Sequence, residues 1–442
     1  MIKLEKQSEN NLILNIGPSH PAMHGTIRIV AEVDGEKIVN SDVEIGYLHR
    51  GFEKTAEYKT YHKIIPYTDR LNYTSPLINN HGFVLAVEKL LGVEIPERAQ
   101  IIRVIMDEMA RITDHLIDVA AMINETGAIT VLLYMMEARE YFWDVFEHTT
   151  GARMTTSYIR IGGVKADVPE NFRELSEYAI KKTRKILKEV DKLISKNAIF
   201  LKRTRGVGII SKEDALSYGF TGPLLRATGI LYDIRKFVPY SIYHRVDFEI
   251  PLGENGDVYD RYWVRMQEME QSMRIIEQAL DLLDKTNPEK IQSEDINPNE
   301  AIKKVKNGET VPLKKIKLSP NLEGMEDNHH KKIYAKDKRF VPPSKQSVFN
   351  SIEGLVHQFL FVMEGYGIRP PVGEVYSFVE GGNGELGFYL VSDGSDTPYK
   401  LHVRAPSFHL MSSLSQMIKG HYIADVIPIF GSINMIGGET DR

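Results

Sequence analysis

The sequence contains no cysteine, and this absence removes several kinds of chemistry at once. Without thiols the chain can form no disulfide and can use no thiolate as a nucleophile. It also cannot hold zinc, an iron–sulfur cluster or a nickel centre through sulfur ligands of its own. If the function needs such a metal, a partner protein must carry it.

The chain also lacks a membrane-spanning run and an excess of positive charge. Its most apolar stretch in the N-terminal half, Ile129 to Met136, is far shorter than the roughly 20 residues that a membrane-spanning helix needs. The polar start, Met1 to Lys6, has no apolar signal-peptide region. With 55 Lys and Arg against 60 Asp and Glu the net charge is −5, which argues against general nucleic-acid binding. We therefore predict a soluble or peripheral cytoplasmic protein with no nucleic-acid partner.

The 442 residues, of which 42% are hydrophobic, are enough for two or three structural units. Strand-like β-branched runs occur near both ends and helical periodicity lies between them, which predicts an α+β fold with a large helical core. We expect a β region at 1–50, a helical core at 51–285, a polar insertion or linker at 286–345, and a helix with a small β region at 346–442.

Individual elements follow from local patterns. Asp34-Gly35 between two β-branched runs is typical of a hairpin, and apolar residues recur at three and four from Pro96 to Asn124, before Gly127. Predicted strands are Leu12–Ile16, Thr26–Val33, Val43–Leu48, Glu385–Asp393, Tyr399–Val403 and a short one around Ile427–Ile429; further helices are predicted at about 77–91, 130–148, 168–196, 256–285 and Ser347–Tyr366.

Two histidines, His20 and His24, lie in a connection between strands that is rich in Gly and Pro. Such a loop does not place a four-residue spacing on one helix face, and the H-E-x-x-H metal motif is absent. Two loop histidines are more often structural hydrogen bonders than ligands. A soluble metal hydrolase that uses this pair is nevertheless one alternative.

Several polar positions stand out in the helical region. A lone tyrosine such as Tyr73, just before a helix start, is usually a core residue with a satisfied hydroxyl. Glu108, Arg111 and His115 are spaced at three and four and can pair on one side of their helix. Glu125 ends that helix, where the helix dipole disfavours a carboxylate unless a cation or a histidine lies beside it. The alternative interpretation is that Glu125 is an ordinary carboxylate on the surface.

Together these blocks resemble one family, the quinone-site D-type subunit of NADH:quinone oxidoreductase (respiratory complex I), itself related to the large subunit of nickel–iron hydrogenases. The matching segments occur in family order over nearly the whole chain except 286–345: GPSHPAMHGTIR (17–28), GYLHRGFEK (46–54), DRLNYTS (69–75), AVEKLLG (86–92), GARM (151–154), YIRIGGV (158–164), GFYLVSDGS (387–395), RAPSF (404–408), KGHYIADV (419–426) and GSINMIGGETDR (431–442). The resemblance implies a fold like the hydrogenase large subunit but without the metal site, because both Cys-x-x-Cys pairs of the hydrogen-splitting relatives are absent.

The resemblance also implies the site residues. In the family the quinone head-group is held by the second histidine of the HPxxH loop and the tyrosine of the DRxxY segment, which match His24 and Tyr73. An aspartate beside the histidine matches Glu125, which is one methylene longer, so the geometry there is expected to differ. We therefore predict His24, Tyr73 and Glu125 as catalytic residues, with His24 and Tyr73 binding the quinone and no metal ligand in this chain.

The implied function is that of a peripheral subunit of a proton-translocating NADH:quinone oxidoreductase, on the cytoplasmic side of the inner membrane. The implied partners are a small iron–sulfur subunit of the B type that carries a [4Fe–4S] cluster, the C-type subunit, and membrane-arm subunits near the quinone entrance. Two alternatives stay open: an equivalent subunit of a ferredoxin- or deazaflavin-fed quinone oxidoreductase, and a scaffold subunit without catalysis. Nothing in the chain touches the electron-input module, so the sequence does not separate them.

Overall fold

The computed structural model describes residues 4–6, 12–23, 25–286, 333–335, 342–343, 345–363 and 367–442. Its first part is an antiparallel sheet with the strand order β1-β2-β3-β4. The strands are β1 (Leu4–Lys6), β2 (Leu12–Ile16), β3 (Arg28–Asp34) and β4 (Lys37–Glu44). The predicted hairpin is confirmed, because Asp34 pairs with Lys37 across a turn in which Gly35 has a φ of 60°.

The last strand of this sheet is displaced from its predicted position. A strand over Val43–Leu48 is wrong beyond Glu44, because the chain leaves the sheet and Gly46 has a φ of 107°. The backbone N–H groups of Gly46 and Leu48 donate to the Asp441 carboxylate at 2.9 and 2.8 Å. A contact with a distant part of the chain, which no local pattern reports, therefore holds this segment away from the strand.

Long helices follow and confirm the large helical core. They are α3 (Pro76–Leu91), α4 (Glu97–Glu125), α5 (Ile129–Thr150), α6 (Phe172–Ile194) and α11 (Val258–Lys285); the shorter ones are α1 (Phe52–Ala56), α2 (Tyr61–Thr68), α7 (Ala198–Thr204), α8 (Lys212–Ser217), α9 (Gly222–Ala227) and α10 (Ile234–Phe237). A ribbon of β5 (Ile159–Arg160) and β6 (Gly163–Val164) lies between α5 and α6. Helix α4 packs against α3, α5 and α11 and is buried along nearly its whole length. Within the described ranges, no helix has the length and hydropathy to cross a bilayer.

The C-terminal region combines helices with a second antiparallel sheet. Its elements are α12 (Lys345–Asn350), α13 (Ile352–Val362), β7 (Gly373–Gly381), β8 (Gly384–Ser392), β9 (Lys400–Arg404), α14 (Pro406–Ser412), α15 (Leu414–Ile418), α16 (Val426–Gly431) and α17 (Gly437–Asp441). The strands lie in the order β7-β8-β9. The two strands predicted near β8 and β9 are confirmed, whereas β7 has no counterpart among the predictions.

Two other C-terminal predictions differ from the structure. The strand around Ile427–Ile429 is wrong: its β-branched residues favour strands locally, but the segment forms α16 and buries its apolar side chains against α4. The single helix over Ser347–Tyr366 is interrupted at Ser351, which is extended. Its hydroxyl accepts a hydrogen bond from the Gly354 N–H at 3.0 Å and caps α13.

Most of the predicted polar insertion over 286–345 lies outside the described residues. Within it, Ile333 and Tyr334 are buried, and the Ala335 N–H donates to the Gly162 carbonyl at 2.7 Å. The chain therefore contacts the β5–β6 ribbon at residues 333–335, and the boundaries of the insertion stay a prediction.

A cluster of fully buried ionised side chains joins α4 to its neighbours. Glu108 lies 3.3 Å from Arg111 and 3.0 Å from Arg235, and it accepts hydrogen bonds of 2.6 Å from Tyr243 and Ser272. Burial on its own would raise the pKa of Glu108, but the two guanidinium groups and these donors lower it to about 2. Glu108 is therefore ionised at neutral pH inside the core.

The pairing expected along α4 is confirmed for Glu108 and Arg111 but not for His115. His115 Nε2 lies 2.9 Å from Glu268 on α11 instead. Glu268 also accepts from Arg226 at 2.7 Å, and Arg226 reaches Glu380 of β7 at 2.8 Å. Buried polar and charged side chains thus connect α4 with α9, α11 and the C-terminal sheet.

Removing the carboxylate at position 108 should destabilise the fold strongly. Glu108→Ala leaves Arg111 and Arg235 buried without their shared anion, so we expect the free energy of unfolding in urea to fall by about 3–5 kcal/mol at pH 7. Because the pKa of Glu108 is lowered on folding, this difference is present above its unfolded pKa of 4.5 and shrinks as the pH falls toward 2.

The matched control is Asp281→Ala. Asp281 pairs with Arg173 at 2.8 Å but is 65% exposed, so its removal should cost less than about 1 kcal/mol. Equal losses in the two variants would contradict the role given to the buried cluster.

Candidate functional site

The histidine loop, residues 17–26, connects β2 to β3, and the predicted site residue His24 lies outside the described residues. Before it, the Ala22 N–H donates to Nδ1 of His20 at 3.2 Å; after it, the Thr26 hydroxyl donates to the Met23 carbonyl at 2.8 Å. Met23 and Thr26 are buried. The loop is therefore anchored on both sides of position 24, and His20 has a structural hydrogen bond. In the part of the chain that the structure describes, no three potential metal ligands cluster together.

Tyr73 lies in the tyrosine turn, residues 69–75, between α2 and α3, and its side chain is 39% exposed. Partial burial and the negative charge of Asp114 both raise the pKa of its phenol. The hydroxyl therefore keeps its proton at neutral pH and can donate a hydrogen bond. An acceptor group that reaches this surface would find a neutral donor.

Helix α17 brings the histidine loop and the tyrosine turn together. A methyl group on Gly437 would lie 2.9 Å from Cγ2 of Thr26, and one on Gly438 would lie 2.4 Å from the carbonyl oxygen of Arg70. At position 438 the nearest atom is backbone, so only glycine allows this approach, whereas at position 437 the methyl group would also lie 2.4 Å from the side chain of Leu48. Because Thr26 belongs to the loop and Arg70 to the turn, the two segments border the same short helix.

Glu125, the last residue of α4, lies against the end of α16. Its Oε2 atom would be 2.7 Å from a methyl group on Gly431. Burial and the charge of Asp118 raise its pKa to about 7. The carboxylate whose charge raises the pKa of Tyr73 is that of Asp114, which precedes Glu125 by roughly 16 Å along the helix axis. Glu125 is therefore far along α4 from the carboxylate beside Tyr73, and its contact with the histidine stays a prediction.

Local sequence patterns do not indicate the residues that hold these segments in place. Asp114 accepts a hydrogen bond from Asn434, which lies 320 positions away, and Asp441 accepts one from Gly46, 395 positions away. No periodicity, motif or spacing in the sequence links positions so far apart. Only the folded chain identifies them as neighbours of the candidate site.

Comparisons with known proteins agree with one another. Residues 125–442 match the family model described as respiratory-chain NADH dehydrogenase, 49 Kd subunit. A D-type subunit of NADH-quinone oxidoreductase from Sorangium cellulosum is 48% identical over 431 residues, which cover 98% of this chain and 95% of the relative. The D-type subunit from Myxococcus xanthus is 46% identical over 98% of this chain and 92% of its own length. A combined C/D-type subunit of NADH-quinone oxidoreductase from Bdellovibrio bacteriovorus is 45% identical over 98% of this chain and 69% of its own length.

The pKa of Glu125 predicts a pH-dependent stability. Its carboxyl group binds a proton more tightly in the folded chain, where its pKa is about 7, than in the unfolded chain, where it is 4.5. The contribution of this group to the free energy of unfolding is therefore fully present below pH 4.5 and is lost as the pH rises to about 7. Glu125→Gln removes this loss, so we expect the variant to gain roughly 1–3 kcal/mol relative to the wild type between pH 4.5 and pH 7.5.

Urea unfolding of the full chain at pH 4.5, 6.0 and 7.5 measures this difference. Glu189→Gln is the control, because Glu189 is 46% exposed beside Lys185. If the stability difference between wild type and Glu125→Gln were the same at all three pH values, the burial argument for Glu125 would be wrong.

Proposed function

This chain belongs to the family of the 49 kDa subunit of respiratory-chain NADH dehydrogenase, a subunit of NADH-quinone oxidoreductase, and we propose that it forms part of the site where the complex reduces quinone. The observation that carries the proposal is that α17 borders both the histidine loop and the tyrosine turn. A quinone has two carbonyl oxygens at opposite ends of its head-group. We assign His24 as the donor to one of them and Tyr73 as the donor to the other.

The chemistry of quinone reduction suits these two donors. The reaction adds two electrons and two protons, and negative charge that develops on the oxygens is costly where water is excluded. The raised pKa of Tyr73 keeps its proton on the phenol until the bound oxygen becomes basic. An imidazole, with an ordinary pKa near 6.5, can release and regain a proton close to neutral pH. Together the two groups can stabilise and protonate the reduced head-group.

In this proposal the electrons come from another subunit. The chain has no cysteine, and the ligands of a [4Fe–4S] cluster are cysteine thiolates. We therefore assign the terminal cluster to the small iron–sulfur subunit of the B type. When bound there, it supplies the electrons that this chain's residues help the quinone to accept.

Glu125 completes the proposed site as the charge partner of His24, in the place of the family's aspartate. Its pKa of about 7 lies close to the ordinary pKa of an imidazole. A carboxyl and an imidazole with similar pKa values can share one proton without a large energetic cost. We propose that Glu125 returns a proton to His24 after each reduction.

The proposed surroundings are those of a peripheral subunit on the cytoplasmic side of the inner membrane. The relative whose name joins the C and D types in one chain supports the C-type subunit as a direct neighbour. Membrane-arm subunits are placed at the quinone entrance, because an isoprenoid tail is poorly soluble in water. Exposed apolar side chains on α13, such as Ile352 at 78% and Phe359 at 57%, support assembly with other subunits.

Substitutions at the two donors should separate quinone reduction from NADH oxidation. In the assembled complex, Tyr73→Phe and His24→Ala each remove one donor, and we expect the rate with a decyl-substituted quinone to fall roughly a hundredfold. NADH oxidation by ferricyanide should stay at the wild-type rate, because that acceptor does not need the quinone site. Tyr67→Phe is the matched control, since Tyr67 lies six positions earlier and is 36% exposed.

Two outcomes would contradict the proposal. Equal loss of both activities would mean that His24 and Tyr73 are structural. A purified wild-type complex that oxidises reduced ferredoxin or a reduced deazaflavin but not NADH would assign a different electron donor.

A further inference from the structure

The tyrosine turn donates hydrogen bonds to a buried carboxylate of α4 that the proposed chemistry does not use. Asp114 on α4 is fully buried. Its Oδ2 atom accepts hydrogen bonds from Asn72 Nδ2 at 2.9 Å and Ser75 Oγ at 3.2 Å, and its Oδ1 atom accepts from Thr74 Oγ1 at 2.6 Å. Asn434 Nδ2 donates to the same Oδ1 atom at 3.1 Å. Three of the four donors thus flank the tyrosine on both sides along the chain.

The space around Asp114 is shaped for its carboxylate. A methyl group on Gly382, in the turn between β7 and β8, would lie 1.8 Å from Oδ2 of Asp114. Arg111, one turn earlier on α4, donates to the carbonyls of Gly381 at 2.8 Å and Glu380 at 2.7 Å. The turn is therefore bonded to α4 at a distance that only glycine at position 382 permits.

The fourth donor, Asn434, is also held in place, and its backbone adopts an unfavourable conformation there. Asn434 has a φ of 57°, in the left-handed region that non-glycine residues seldom adopt, although asparagine tolerates it best. Its side chain donates to Asn383 Oδ1 at 2.7 Å, while Asn383 Nδ2 donates to the Asn434 carbonyl at 2.9 Å. Asp114 therefore connects the tyrosine turn to two C-terminal segments.

Within the described part of the chain, no Lys, Arg or His forms an ion pair with Asp114, and a buried carboxylate that only neutral groups satisfy is expensive to desolvate. Four converging donors offset that cost and fix the carboxylate as their common acceptor. The arrangement leaves the phenol itself unbound by Asp114 and partly exposed.

We propose that Asp114 is a positioning residue of the quinone site, which fixes the backbone on both sides of Tyr73 so that the phenol meets one quinone oxygen. This inference rests on the proposed function. It is supported by the electrostatic effect of the same carboxylate, which raises the pKa of the phenol and keeps it a donor. Asp114 touches no substrate and acts only through Tyr73.

Asp114→Asn in the assembled complex tests the proposal. In either orientation of the new amide, its NH2 group faces two of the groups that donate to Asp114 in the wild type. These two groups lose their acceptor, so we expect the tyrosine turn to shift. Misplacing a reacting group by about 1 Å can cost up to a hundredfold in rate, and we expect the rate with a decyl-substituted quinone to fall at least tenfold while the ferricyanide rate and subunit content stay unchanged. Asp107→Asn is the matched control, because Asp107 is equally buried on α4 but bonds to His81 at 2.5 Å.

A double-mutant cycle separates positioning from general damage. If Asp114 acts only through Tyr73, then adding Asp114→Asn to Tyr73→Phe should lower the quinone rate by less than twofold further, far less than Asp114→Asn does in the wild type. If Asp114→Asn does not assemble, Thr74→Val removes one donor and keeps the side-chain shape, with Thr204→Val, a buried threonine that bonds within its own helix, as its control.

The outcomes distinguish this inference from the proposed function. If Tyr73→Phe on its own leaves quinone reduction unchanged, the proposed function fails and this inference fails with it. If Tyr73→Phe lowers the rate of quinone reduction but Asp114→Asn behaves like Asp107→Asn, only the positioning role of Asp114 is overturned. The same holds if the rate losses of Tyr73→Phe and Asp114→Asn multiply in the double variant.

Discussion

The structure depends on the burial of α4, because a helix that carries ionised side chains into the core must find partners for each of them there. A buried charge that loses its partner costs several kcal/mol, so the elements around α4 can pack only where they supply opposite charge or hydrogen-bond partners. Glu108 pairs with Arg235 of α10. Burial lowers the pKa of His115, so its neutral ring forms a hydrogen bond with Glu268 of α11 instead. Arg111 donates to two carbonyls at the end of β7. The polar residues of this one helix therefore specify where several distant segments lie.

The candidate site uses the same constraint at Asp114, within the C-terminal half of α4. Neither the histidine loop nor the tyrosine turn belongs to a long helix or strand, so local propensity does not hold them in place. Glycines 437 and 438 let α17 contact both segments, and Asp114 accepts hydrogen bonds from the tyrosine turn. These contacts hold Thr26 of the loop and Arg70 of the turn against α17, and three side chains of the turn against Asp114. Glu125, roughly three helical turns from Asp114, forms a separate carboxylate environment with Asp118.

Local patterns predicted a large part of the fold. The periodicity of α3 to α6 and α11, the hairpin at Asp34-Gly35 and the strands β8 and β9 all appear, because hydrophobic spacing and turn residues act over a few positions. The failures share one cause. The end of β4 and the helix α16 are set by contacts with Asp441 and α4, which are remote in sequence. Tertiary packing overrode the β-branched composition of 427–429.

The amino-acid sequence sufficed for the α+β class, for the lack of any sulfur-held metal, and for the family, since these depend on composition, periodicity and motifs that can be read position by position. It also singled out Tyr73, through a motif. Only the tertiary structure decided that Asp114, Gly382 and Asn434 surround the tyrosine turn and that α17 joins it to the histidine loop. The physical reason is that desolvated polar groups choose partners by distance in space, and distance in space between segments hundreds of residues apart exists only after the chain has folded.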